Sequence, residues 1–215
     1  MKVPFLDLRI ENEKERKRLI DAIEKVFMHG RFILGPEVEA FENKVATYCG
    51  VPFTLGVNSG TDALFLSLKS LGIGSGDEVI VSSLSFIATA NAVALTNATP
   101  VFCDINYDLT VCVDSIEPLI TSRTKAIIPV HFTGKMSNIE EIVKVARKHK
   151  LFVVEDACQA FGARYNNQLS GTFGDIGCFS FNPMKILAAC GEAGAIVTSI
   201  FIGLKLKHPI SPNVP

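Results

Sequence analysis

An α/β fold, with a mainly parallel sheet covered by helices, is predicted from three observations. Strand-length apolar runs alternate with helix-length amphipathic segments between residues 54 and 198. The joints are rich in glycine and aspartate, as in Gly72-Ile73-Gly74-Ser75-Gly76-Asp77. The run 151–155 (Leu-Phe-Val-Val-Glu) is nearly continuous in apolar residues, which suits a parallel strand buried on both faces.

Residues 11–28 read as an amphipathic helix with Leu19, Ile20, Ile23, Val26 and Phe27 on one side. A second helix over 36–48 starts on Pro36 and repeats the pattern with Val38, Phe41 and Val45. The regular alternation follows: strand 54–57, helix 62–71, strand 78–82, helix 87–95, strands 100–103 and 126–130, helix 139–149, strands 151–155, 176–181 and 195–198. No internal repeat or linker interrupts it. Three stretches result: an N-terminal segment 1–35, a large domain 36–198, and a divergent tail 199–215.

Composition limits the function classes. The 215 residues are 48% hydrophobic, enough for a buried core. A net charge of -1 gives no electrostatic basis for binding nucleic acid or an anionic membrane, so small polar partners are expected. The N-terminus Met1-Lys2-Val3-Pro4-Phe5-Leu6-Asp7 has no apolar leader core, and no apolar run approaches the roughly 20 residues of a span. A cytoplasmic location is expected. Six cysteines show no C-x-x-C pair and no histidine at metal spacing, so buried reduced thiols are expected and no metal site.

The candidate chemistry lies in two strand ends. The run 176–181 is closed by Asn182-Pro183, and proline has no N–H for a ladder, so Lys185 is delivered at the strand's C-terminal edge. Open α/β sheets bind ligands at that edge. Asp156, 29 residues earlier, follows the run 151–155 and reaches the same rim. A carboxylate and an amine side by side are what a pyridoxal phosphate (PLP) enzyme requires: a lysine to hold the cofactor and an acid to keep its ring nitrogen protonated.

Around these residues the chain resembles the DegT/DnrJ/EryC1/StrS family of sugar aminotransferases. The resemblance is carried by Val154-Glu155-Asp156-Ala157, Gln159-Ala160, Gly174-Asp175-Ile176-Gly177 and Phe179-Ser180-Phe181. It extends to Ser59-Gly60-Thr61-Asp62-Ala63-Leu64, which by itself reads as a helix N-cap and is implied to hold the PLP phosphate through Gly60 and Thr61. The resemblance also implies that Phe86 stacks on the pyridine ring, where a core or staple role is the structural alternative. Gln159 is implied as a second polar contact to the ring or its 3-oxygen, and Ser180 as part of the phosphate site. His131 sits at a strand end and is read either as bordering the site or as a satisfied loop histidine, with no catalytic role.

The implied reaction is ping-pong transamination with Lys185 as general acid/base, Asp156 holding the ring nitrogen, glutamate as donor and a nucleotide-linked keto-deoxysugar as acceptor. A homodimer is implied for the intact enzyme. Lysine at this position argues against the family's dehydratase branch, which uses histidine there. The resemblance runs from about Pro4 to Thr198, with Ala193 replacing a glycine usual in the family. Relatives continue into a small C-terminal domain, absent here, so the tail 199–215 is expected to reflect a frameshift or early stop. The alternative function is a truncated, inactive remnant that at most binds PLP or a related subunit.

Overall fold

A computed structural model describes residues 3–200. Its central sheet contains β1 (Phe53–Val57), β2 (Glu78–Ser82), β3 (Thr99–Cys103), β4 (Thr124–Ile128) and β5 (Phe152–Asp156). A two-stranded hairpin of β6 (Arg164–Tyr165) and β7 (Gln168–Leu169) follows, and then β8 (Ile176–Ser180) and β9 (Gly194–Thr198) return to the sheet. The seven-stranded order is β1-β9-β8-β5-β4-β2-β3. Neighbours run parallel except around β9, which is antiparallel to both β1 and β8.

The burial explains the runs. Every residue of β2, β8 and β9 is buried, as strands covered on both faces require. The outer strand β3 exposes Phe102 and accommodates Pro100, because an edge strand has one neighbour and loses no ladder bond on its free side. At the other edge, the Gly56 N–H of β1 is satisfied by Glu42 Oε1 at 2.9 Å.

Among the described residues five α-helices accompany the sheet: α1 (Glu13–His29), α2 (Pro36–Cys49), α3 (Gly60–Ser70), α4 (Ala88–Leu95) and α5 (Ile139–Lys148). Strand alternation divides the core. Val79, Val81, Ile128 and Val154 pack with Ala63, Leu64 and Leu68 of α3 and Ala92 and Val93 of α4. Ile80, Ile127 and Val153 point the other way, onto Ile139, Ile142 and Ala146 of α5. On that same face Phe179, Ala195 and Val197 meet Val45 and Cys49 of α2. The sheet is thus covered on both sides, and the rim at the parallel strands' C-terminal ends carries the connections into α3 and α4.

Four features differ from the sequence reading. The apolar stripe of α1 exists, yet Ile20, Ile23 and Phe27 are half or more exposed and the helix buries no residue among those described. Periodicity identified the helix without saying what covers it. Strand β4 lies two residues earlier than 126–130, and Asp156 is the last residue of β5 instead of following it. The β6–β7 hairpin turns through Asn166 and Asn167, both at positive φ (47° and 66°), a turn that asparagine tolerates and that two-residue strands do not advertise. Residues 201–215 of the tail lie outside the described residues.

Candidate functional site

Asp156 is fixed from both sides. Its backbone N–H donates to Pro129 O at 2.9 Å and its carbonyl accepts from His131 N at 3.1 Å, extending the pairing with the end of β4. Its side chain, 6% exposed, accepts from Thr89 Oγ1 on Oδ2 at 2.6 Å and from Cys158 N on Oδ1 at 3.2 Å. One donor on each oxygen fixes the plane of the carboxylate.

At the end of β8, Ser180 is buried and Phe181 N still donates to Ala193 O. The chain then turns at Asn182-Pro183, as the missing proline donor dictates. Asn182 organises this turn: its carbonyl accepts from Lys185 N at 2.8 Å, its Oδ1 accepts from Met184 N at 3.0 Å, and its Nδ2 donates to the Glu192 carboxylate. Lys185 is half-buried, just beyond the end of β8. Burial pushes the Cys158 thiol well up, the Asp156 charge adds to this, and the Lys185 ammonium pulls the other way.

The third component is the first turn of α3. Ser59 caps it, accepting from Asp62 N at 3.0 Å, so the Gly60 and Thr61 N–H groups precede the first intrahelical bond. No side chain fits at Gly60: a Cβ there would lie 2.7 Å from Ser180 Cβ and 2.8 Å from Cys158 Sγ. Gly194 is equally constrained, since its Cβ would stand 2.3 Å from Ser59 O. The α3 N-terminus therefore rests directly on the ends of β8 and β9.

The arrangement brings Gly60, Ser180 and Asp156 together at Cys158, and Lys185 follows the end of β8. Phe86 lies at the junction of β2 and α4, is 64% exposed, and its carbonyl accepts from Thr89 N at 3.1 Å. It is thus not a core residue. Gln159 uses its Oε1 to accept from Thr133 N at 3.0 Å, which leaves its amide nitrogen as the donor available to a ligand. His131 is the satisfied loop histidine: fully buried, it accepts Ser137 N–H on Nδ1 (3.2 Å) and so donates from Nε2 to Glu155 Oε2 (3.0 Å).

Sequence reasoning missed Thr89, Cys158 and the organising role of Glu155. The Glu155 carboxylate, fully buried, also accepts the N–H groups of Gly171 (2.9 Å), Phe173 (2.6 Å) and Gly174 (2.7 Å). It binds the loop before β8 to the strand that carries Asp156. A charged residue inside an otherwise apolar run was the available signal. Among the described residues no cluster of His, Cys, Asp or Glu is placed to hold a metal ion, and no helix is long and apolar enough to cross a membrane.

The chain is similar to known proteins over nearly its whole length. A UDP-N-acetyl-3-dehydro-α-D-glucosamine 3-aminotransferase of Acidithiobacillus ferrooxidans is 48% identical over 200 residues, covering 92% of this chain and 54% of that protein. A 3-oxo-glucose-6-phosphate:glutamate aminotransferase of Bacillus subtilis is 42% identical, covering 92% of this chain and 44% of that protein. The crystal structure of NtdA from Bacillus subtilis with bound cofactor PMP superposes with a TM-score of 0.86 at 40% identity, covering 93% of this chain and 45% of that one. The chain spans about half the length of the curated relatives it matches. The model of the DegT/DnrJ/EryC1/StrS aminotransferase family matches residues 13–199, and the chain belongs to that family.

Proposed function

We propose that residues 36–198 are the cofactor domain of a PLP-dependent aminotransferase that acts on a nucleotide-linked keto-deoxysugar with glutamate as amino donor. The carrying observation is the packing of the α3 N-terminus against Ser180 and Cys158, next to the fixed carboxylate of Asp156, with the Asn182 turn holding Lys185 just beyond the end of β8. Relatives named for UDP-, dTDP- and GDP-linked sugars support the acceptor class, and the Bacillus subtilis relative named for glutamate supports the donor.

The residues fit the cofactor. Gly60 and Thr61 N–H groups, at the positive end of α3, would take the phosphate with the hydroxyls of Thr61 and Ser180. The absence of a side chain at Gly60 is what lets that turn lie against Ser180. Asp156 would hold the ring nitrogen, Phe86 would cover the ring, and Gln159 would reach it through its amide nitrogen. PLP, when bound, supplies a reactive carbonyl carbon and an electron-accepting ring.

The chain's own groups do the rest. Lys185 Nζ would hold the cofactor and would carry a proton to and from the substrate carbon bearing nitrogen. The Asn182 turn holds the lysine's backbone while that nitrogen moves. Asp156 stays fixed by Thr89 and Cys158 N–H throughout, so its charge needs no reorganisation.

The test supplies PLP, glutamate and a panel of nucleotide-linked 3-keto and 4-keto deoxysugars. Amino sugar and 2-oxoglutarate formed in equal amounts are expected. PLP held on Lys185 with no amino sugar from any acceptor would contradict the proposed activity and favour a domain that binds cofactor only.

A further inference from the structure

We infer that Thr89 is a positioning residue for Asp156, driven by Ser85 through a directed hydrogen-bond chain from the β2–α4 junction. Ser85 Oγ lies 2.6 Å from Thr89 Oγ1, and Thr89 Oγ1 lies 2.6 Å from Asp156 Oδ2. The directions are fixed by counting protons. A threonine hydroxyl has one hydrogen, and Asp156 as a carboxylate only accepts, so Thr89 donates to Asp156. Ser85 must then donate to Thr89.

Successive donors polarise one another, so the serine strengthens the bond that the threonine makes. Burial makes it count: Thr89 is 2% exposed and Asp156 6%, so water does not replace a lost donor. Thr89 stands on the first turn of α4, and its N–H is bonded to the carbonyl of Phe86 at 3.1 Å. One turn therefore ties the backbone of Phe86 to the residue that holds the buried carboxylate. A substitution at Thr89 is felt at Asp156 although Thr89 itself is not among the cofactor-holding residues assigned above.

This inference rests on the reading of Asp156 as the partner of the cofactor's ring nitrogen, and its test separates the two. The full chain is titrated with PLP and with 1-deazapyridoxal phosphate, in which the ring nitrogen is a C–H, and the ratio of the two affinities is recorded. Under the functional reading the chain prefers PLP, and Asp156→Asn abolishes the preference. Thr89→Val keeps shape and removes the hydroxyl; it should lower the preference about tenfold, equivalent to ~1.4 kcal/mol. Thr89→Ser should restore it, and Ser85→Ala should lower it about threefold. If Thr89→Val fails to fold, the Ser85→Ala result decides alone, because Ser85 is only half-buried. An unchanged ratio in either variant, or equal weakening of both ligands, overturns the inference while leaving the reading of Asp156 intact. Failure of the unaltered chain to prefer PLP, or a preference that survives Asp156→Asn, overturns the reading itself and the inference with it.

Discussion

Gly60→Ala tests the packing of the site through a single methyl group. The backbone conformation at Gly60 is open to any L residue, so the effect is one of space. The new Cβ would stand 2.7 Å from Ser180 Cβ and 2.8 Å from Cys158 Sγ, both closer than carbon and sulfur atoms approach, and neither belongs to the free end of a long side chain. Overpacking of this kind costs ~1–3 kcal/mol. Alanine's better helix propensity returns up to ~1 kcal/mol, less in a first turn. A net loss of ~1–2 kcal/mol follows, or about 2–8 °C in Tm for a domain of this size. Removing the obstacle should recover part of it: Cys158→Ala in the Gly60→Ala background relieves one of the two contacts, so the pair should be non-additive. Gly74→Ala is the control, because its Cβ meets only Thr96 O at an ordinary 3.6 Å. The measurement is thermal unfolding of Gly60→Ala, Cys158→Ala, their double variant and Gly74→Ala, together with PLP titration. Equal Tm and equal PLP affinity for Gly60→Ala and the unaltered chain would refute the contact of α3 with β8.

Two further outcomes are expected. Thr61→Val and Ser180→Ala should each weaken PLP binding by about 1–3 kcal/mol, as loss of one hydrogen bond to a charged group does, while pyridoxal without phosphate is unaffected; equal losses for both ligands in a binding titration would place these hydroxyls elsewhere. Glu155→Gln puts an amide NH2 against either the Phe173 and Gly174 N–H groups or the Gly171 and His131 donors, and should cost about 2–4 kcal/mol in thermal or denaturant unfolding. Unchanged stability would contradict the buried carboxylate clamp.

Much of the site was legible because its determinants are local. Pro183 stops β8, and so places Lys185, through a property of one residue; Ser59 and Gly60 start α3 in the same way. Continuous apolar runs located the buried strands for the same reason. What sequence did not disclose is set by partners distant in the chain. Thr89 acquires its role from Asp156, 67 residues on, and Glu155 from a loop 16 to 19 residues away. The reversal of β9 also depends on which strands flank it, and a five-residue apolar strand carries no sign of its direction. The stripe of α1 gave the helix without its covering, since a 3.6-residue period reports which residues share a face and not what meets that face.

The central claim is that Lys185 and Asp156 form one PLP-holding rim, and covalent trapping tests it most directly. The chain is equilibrated with PLP, reduced with borohydride, digested, and the pyridoxyl group located by peptide mass mapping. The account predicts the group on Lys185, within the peptide that contains Asn182-Pro183-Met184, and its loss in Lys185→Ala. A pyridoxyl group found on another lysine, or on none, would contradict it.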